Sequence, residues 1–162
     1  LPPLLSLLLT PLLPPALPRE SEPSYEHYSA ERASILDSLR SRADALALAL
    51  DALDGVTCAP AEGALYLFPR IELPINAIAK AREAGVMPDE FYALKLLEAT
   101  GLVVVPGSGF GQPDPYAFHF RTTFLPPADQ LKEVSSAFAH FHYKFLEDFA
   151  TVRPDRSRGS AA

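Results

Sequence analysis

The sequence predicts an α+β domain of two layers, a small and mainly antiparallel sheet covered by long amphipathic helices. Three observations carry this. Apolar residues recur at spacings of three and four in two long stretches, one toward each end of the chain. Between these stretches lie short β-type runs bounded by Gly and Pro. One of those runs, Tyr116–Leu125, alternates with a period of two, so Phe118, Phe120, Thr122 and Phe124 share one face and His119, Arg121 and Thr123 the other.

The elements follow in order. Residues 1–21 read as a Pro/Leu-rich linker or disordered end. Their leading part, LPPLLSLLLTPLLPPAL, is too short and too broken by proline to cross a bilayer as a helix. It also lacks the basic start and small-residue cleavage site of a signal peptide. Helix is expected from Ser24, a cap residue, with Glu26 in the first turn and the stripe Ile35, Leu39, Ala43, Leu46, Leu50 and Leu53, stopped by Gly55. Glu31, Arg32, Asp37 and Arg40 form its solvated face. Val56–Cys58 and Ala64–Phe68 read as strands, and Arg70–Pro74 as a connector. Ile75–Ala84 reads as a helix ended by Gly85. A second helix spans Asp89–Thr100, with Phe91, Leu94 and Leu97 inward and Gly101 at its end. Leu102–Val105 is an apolar run of the buried-strand kind. After the Tyr116–Leu125 strand, Pro126 and Pro127 open a last helix whose stripe is Leu131, Val134, Phe138, Phe141, Phe145 and Phe149. The folded domain is placed at 22–150, with a disordered tail over 151–162.

Composition narrows the functions. With 162 residues there is room for one ordinary domain. The 17 prolines are about twice the usual share, and much of the excess lies at or before Pro23. A net charge of −6 argues against a nucleic-acid partner and against an anionic membrane surface. The single cysteine, Cys58, excludes an internal disulfide framework and reads as a small core residue. The chain begins at Leu1 and not Met, which fits a fragment or a processed form.

Few residues offer chemistry. The loop Pro106–Gly111, PGSGFG, has the glycines of a nucleotide site but is followed by Gln112, Pro113, Asp114 and Pro115, which resist the helix start such a site needs. It remains a loop that lets backbone approach a ligand or another chain. His140 and His142, two apart on a helix, do not share a face and make poor metal partners, so no metal site is expected. Lys80, Lys95, Lys132 and Lys144 lie on polar helix sides, away from any setting that would activate an amine. Arg121 has two readings. By pattern it is first an exposed strand charge; alternatively its planar fork holds a carboxylate.

The segments EPSYEHYSAER, VTCAPAEGALYLFPRIELP, MPDEFYALKLLEATGLVVVPGSGFGQ and FHFRTTFLPP, in that order, resemble the C-terminal part of alanine aminotransferases. These are pyridoxal-phosphate enzymes of the aspartate-aminotransferase-like fold, type I. The resemblance covers 22–150 and implies the smaller domain of such an enzyme, packed against a larger α/β domain in a homodimer. It further implies that Arg121, in FHFRTTFLPP, binds the α-carboxylate shared by the amino acid and 2-oxo acid substrates. A fixed guanidinium would orient the reacting Cα–H bond. The family's Schiff-base lysine, phosphate-binding residues and pyridine-nitrogen acid match nothing in the sequence. No catalytic or cofactor-binding residue is therefore expected here, and the chain alone should not turn over. The resemblance leaves a cytoplasmic or mitochondrial location open. It also leaves open another amino donor, or a non-catalytic interaction or regulatory domain derived from such an enzyme.

Overall fold

A computed structural model describes residues 17–111, 114 and 116–150. The expected linker over 1–21 falls outside these residues except for its last five, and the expected tail over 151–162 falls outside them altogether. The chain divides into two compact units, residues up to Ser38 and Leu39–Ala162. Helix α1 spans Tyr25–Asp51. In the first unit its charged residues Glu31, Arg32 and Asp37 are exposed as expected. Ile35, placed in the apolar stripe by its spacing, is exposed instead.

In the second unit α1 buries Ala43, Leu46, Ala47 and Leu50. Next come β1 (Val56–Thr57), β2 (Tyr66–Leu67) and β3 (Arg70–Ile71), then α2 (Ile75–Glu83) and α3 (Pro88–Thr100). After β4 (Val105–Pro106), a 3-10 turn over Gly107–Phe110, β5 (Phe118–Thr123) and α4 (Ala128–Asp148) complete the order. The result is the expected small α+β domain with an antiparallel sheet.

β5 is the strand that organises the sheet. Tyr66 and Leu67 of β2 pair with Thr123 and Thr122, and Arg70 and Ile71 of β3 pair with His119 and Phe118, all antiparallel. Between them the Phe120 N–H donates to the Pro69 carbonyl at 3.2 Å. β2 and β3 thus run as one line along one edge of β5. β4 pairs Val105 with Arg121 and Pro106 with Phe120. β1 extends the sheet beyond β3.

Two strand expectations are corrected. Arg70–Pro74, read as a connector, begins with β3. The two residues of β3 are too few to show a period, and the strand exists only because β5 supplies its partners. Leu102–Val105, read as a buried strand, pairs only from Val105, and Val103 is 76 % exposed. An apolar run states affinity for a cover, not that one is present.

β5 alternates as its sequence requires. Phe118, Phe120 and Phe124 are buried, and His119 and Arg121 are half-buried on the opposite face. Phe120 stacks on Phe138 at 5.2 Å between centroids and on Tyr92 at 6.1 Å. α4 meets this layer with Leu131, Phe138, Phe141 and Phe145, the stripe its spacing predicts. α3 is rotated from the expected face: Tyr92, Ala93 and Leu96 are buried, while Leu94 and Leu97 are exposed. FYALKLL is apolar on nearly every side, so its period cannot choose a face. The helix ends at Gly101, whose φ of 76° in the left-handed region suits a residue without a Cβ.

A buried polar chain ties the helices together. Burial pushes the Tyr92 phenol well above its ordinary range, so it stays protonated and donates to Nδ1 of the fully buried His142 at 2.9 Å. Nε2 of His142 donates to the Asp54 carbonyl at 2.7 Å. Both ring nitrogens of a neutral imidazole are thereby used. The Arg42 guanidinium donates to the carbonyls of Leu125 and Pro126, fixing the turn from β5 into α4.

Candidate functional site

Alternation along β5 puts Arg121 on the face opposite the phenylalanine core. The same alternation in β2 and its continuation puts Tyr66 and Phe68 on that outer face, since Leu67 between them is buried. Each is 45 % exposed. On the other side, β4 leads directly into the 3-10 turn, which ends at Phe110, 49 % exposed.

These residues meet at the arginine. The Arg121 Cζ lies 4.4 Å from the Tyr66 ring centre and 5.1 Å from that of Phe110. Phe110 stands edge-on to Phe68 at 5.6 Å, and Phe68 stacks on His119 at 5.0 Å with the rings 10° from parallel. Nδ1 of His119 donates to the Ala117 carbonyl at 3.2 Å. Among the described residues no carboxylate pairs with Arg121. The guanidinium lies against the π systems of Tyr66 and Phe110, which satisfy none of its N–H groups. An oxyanion meeting the rim of the fork would find charge-assisted donors already oriented.

The turn beside it is held from below. Asp89, only 2 % exposed, accepts the Ser108 N–H on Oδ2 at 2.6 Å and the Glu90 N–H on Oδ1 at 3.0 Å. Gly111, at φ 71°, closes the turn in the left-handed region. The turn is a single 3-10 element over Gly107–Phe110.

The other candidates lie elsewhere. Cys58 is buried, its thiol pushed up to about 11 by burial and by the Asp51 carboxylate, so it is no thiolate nucleophile at neutral pH. His27 and His140 are exposed, and His142 is in the core. Among the described residues no three His, Cys, Asp or Glu gather to hold a metal. Lys80, Lys95 and Lys144 pair with Glu83, Glu98 and Asp148 on their own helices. Lys132 lines a groove of about 460 Å³ between α1 and α4 with Ser41, Arg42 and Ala45. All four lysines of the sequence are thus on helices, and none reaches the Arg121 face. The residues present do not fit an imine-linked cofactor.

Sequence reasoning missed Tyr66, Phe68, Phe110 and Asp89. The period of two in ALYLF already set Tyr66 and Phe68 on one side. Asp89 was legible only as a helix start, because its partner Ser108 is 19 positions away.

This geometry can be set beside known proteins. The chain is 48 % identical over 146 residues, 90 % of its length, to alanine aminotransferase 2, mitochondrial, of Arabidopsis thaliana. It is 42 % identical over 133 residues to alanine aminotransferase 1 of Rattus norvegicus. Its homologues are alanine aminotransferases. The chain spans about a quarter of the length of these curated relatives, 26 % and 27 %. No protein-family model matches it. Among solved structures, alanine aminotransferase from Pyrococcus furiosus superposes with a TM-score of 0.56 at 30 % identity, over 69 % of this chain and 25 % of that one. An aminotransferase from Escherichia coli gives 0.53 at 28 % identity, over 67 % and 24 %. The fold is that of the small domain of aminotransferases. Some relatives carry "mitochondrial" in their names and others do not. Among the described residues no helix is long and apolar enough to cross a membrane.

Proposed function

We propose that this chain is the C-terminal part of a pyridoxal-phosphate-dependent alanine transaminase, which exchanges L-alanine and 2-oxoglutarate for pyruvate and L-glutamate. Arg121 binds the α-carboxylate of each substrate. The observation that supports this most is the half-buried guanidinium set between Tyr66 and Phe110 with no carboxylate partner among the described residues. A structural arginine at that depth would be expected to carry an internal acid. Every amino and oxo acid of the reaction presents the planar oxyanion that the fork matches.

Pyridoxal phosphate would supply the electron sink of the reaction when bound. The lysine that holds it is not among the four of this chain, and it belongs with the rest of the parent protein, which also supplies the opposite wall of the cleft. A homodimer is part of the same proposal. The exposed aromatic face around Arg121 supports it, because a wall that excludes water strengthens a carboxylate–guanidinium pair.

The test has two arms. In the full-length parent, Arg121→Gln should raise KM for L-alanine and for 2-oxoglutarate together by about a hundredfold or more, as expected for loss of a charge-assisted bidentate pair. Unchanged KM values for both would overturn the assignment. The 162-residue chain mixed with pyridoxal phosphate and reduced with borohydride should carry no pyridoxyl group. Stoichiometric labelling of one lysine would show that the chain holds the cofactor itself.

A further inference from the structure

Asp89 is an acid 2 % exposed that makes no ion pair among the described residues, and it lies at the start of α3. Its two oxygens accept the N–H groups of Glu90 and Ser108. The first bond is local to the helix start. The second crosses 19 positions to the middle of the 3-10 turn, and at 2.6 Å it is short, as expected where the acceptor is ionised. Two residues past Ser108 is Phe110, whose ring lies against the Arg121 guanidinium.

The rest of the turn is held by packing and not by side-chain hydrogen bonds: Gly107 is buried and the Phe110 ring stands edge-on to Phe68 at 5.6 Å. Gly107 and Gly109 bring no side-chain packing, no atom lies within 4 Å of where a Cβ on Gly109 or Gly111 would be, and Phe110 is half exposed. Gly111 donates back to the Ser108 carbonyl at 3.3 Å, a bond within the turn that cannot fix it to the domain. On the other flank, β4 contributes only Val105 and Pro106. The carboxylate of Asp89 is thus the one side chain among the described residues that hydrogen-bonds the turn from outside it.

We propose that Asp89 is a positioning residue for the carboxylate-binding arginine: by anchoring the Ser108 amide it sets Phe110 against the guanidinium and fixes the plane in which Arg121 presents its donors. This rests on the carboxylate-binding reading of Arg121 for its consequence, but the mechanical link from Asp89 through Ser108 and Phe110 to Arg121 stands apart from it. Loss of the anchor leaves the charge of Arg121 in place and lets its plane wander, so it weakens a planar, two-point ligand more than a point charge would require.

The experiment is nuclear magnetic resonance of the nitrogen-15-labelled chain. The Arg121 Nε–Hε signal reports the rings beside it, and the Ser108 amide reports the anchor. Asp89→Asn keeps the shape and removes the charge. It should lower the exchange protection of the Ser108 amide about tenfold or more and move the Arg121 Hε signal toward the position of a solvated arginine. Phe110→Leu, at a half-exposed site that the fold can tolerate, should move the same Arg121 signal while the Ser108 protection stays. An Asp89→Asn protein that unfolds at a lower temperature with its Arg121 signal unmoved would overturn the proposal and leave Asp89 a helix-start residue only. Should Asp89→Asn not fold, an unmoved Arg121 signal in Phe110→Leu would overturn it equally. Titration with pyruvate separates the two readings. A response of the Arg121 signal that weakens in Asp89→Asn supports both. With no response in any variant and the signal still moved by Asp89→Asn, the positioning link stands, and the KM values of Arg121→Gln in the full-length parent decide the carboxylate reading.

Discussion

The two faces of β5 lie on one six-residue strand and have opposite characters. The inner face is Phe118 and Phe120, continued by Phe124 just past the strand, all buried, with Phe120 stacked on Tyr92 of α3 and Phe138 of α4. The outer face is His119, Arg121 and Thr123, bordered by Tyr66, Phe68 and Phe110, none of them fully covered. Both faces are aromatic. The inner one is close-packed and holds the fold together. The outer one keeps large apolar rings half in water, which a lone domain gains nothing by doing. The difference separates residues that stabilise the fold from residues that it leaves accessible.

Substitutions can break that contrast, the largest effect first. Phe120→Ala removes a fully buried ring from between Tyr92 and Phe138 and should cost about 3–5 kcal/mol in denaturant unfolding. A cost near that of a surface change would mean that the inner face is not the core. Tyr92→Phe leaves Nδ1 of His142 buried without its donor and should cost about 1–3 kcal/mol.

The same chain makes the inner face sensitive to acid. Burial lowers the His142 pKa below its ordinary value, with the Asp54 carbonyl opposing. The unfolded chain therefore takes up a proton near pH 6.5 that the folded chain refuses until lower pH. Stability from this group is complete above about pH 6.5 and falls as the pH drops through the window below it. A urea midpoint measured from pH 7.5 down to 5 should decline, and less so in a His142→Gln protein. Equal slopes in the two proteins would remove His142 as the cause.

The outer face should respond weakly. Phe68→Leu loses contacts with His119 and Phe110 and should cost no more than about 1 kcal/mol. Arg121→Gln should change stability least, by about 0.5–1 kcal/mol for its ring contacts, while abolishing the response to carboxylates. A loss of several kcal/mol on Arg121→Gln would place the arginine among the structural residues and erase the contrast.

Period and punctuation by themselves determined much of this protein. The stripe of α4, the alternation of β5, the stops at Gly85 and Gly101 and the order of the elements are local properties, because side-chain direction follows from backbone geometry within a few residues. The motifs around PGSGFG and FHFRTTFLPP carried the family likeness and singled out Arg121. Tertiary structure decided what depends on a partner far along the chain. β3 exists because β5 pairs with it. α3 buries Tyr92 and not Leu94 because His142 and Phe120 wait on that side. Asp89 meets Ser108, and Tyr66 and Phe110 meet Arg121, across loops that no periodicity spans. Those contacts are set by how elements pack, and packing joins residues whose separation in sequence carries no signal of their distance in space.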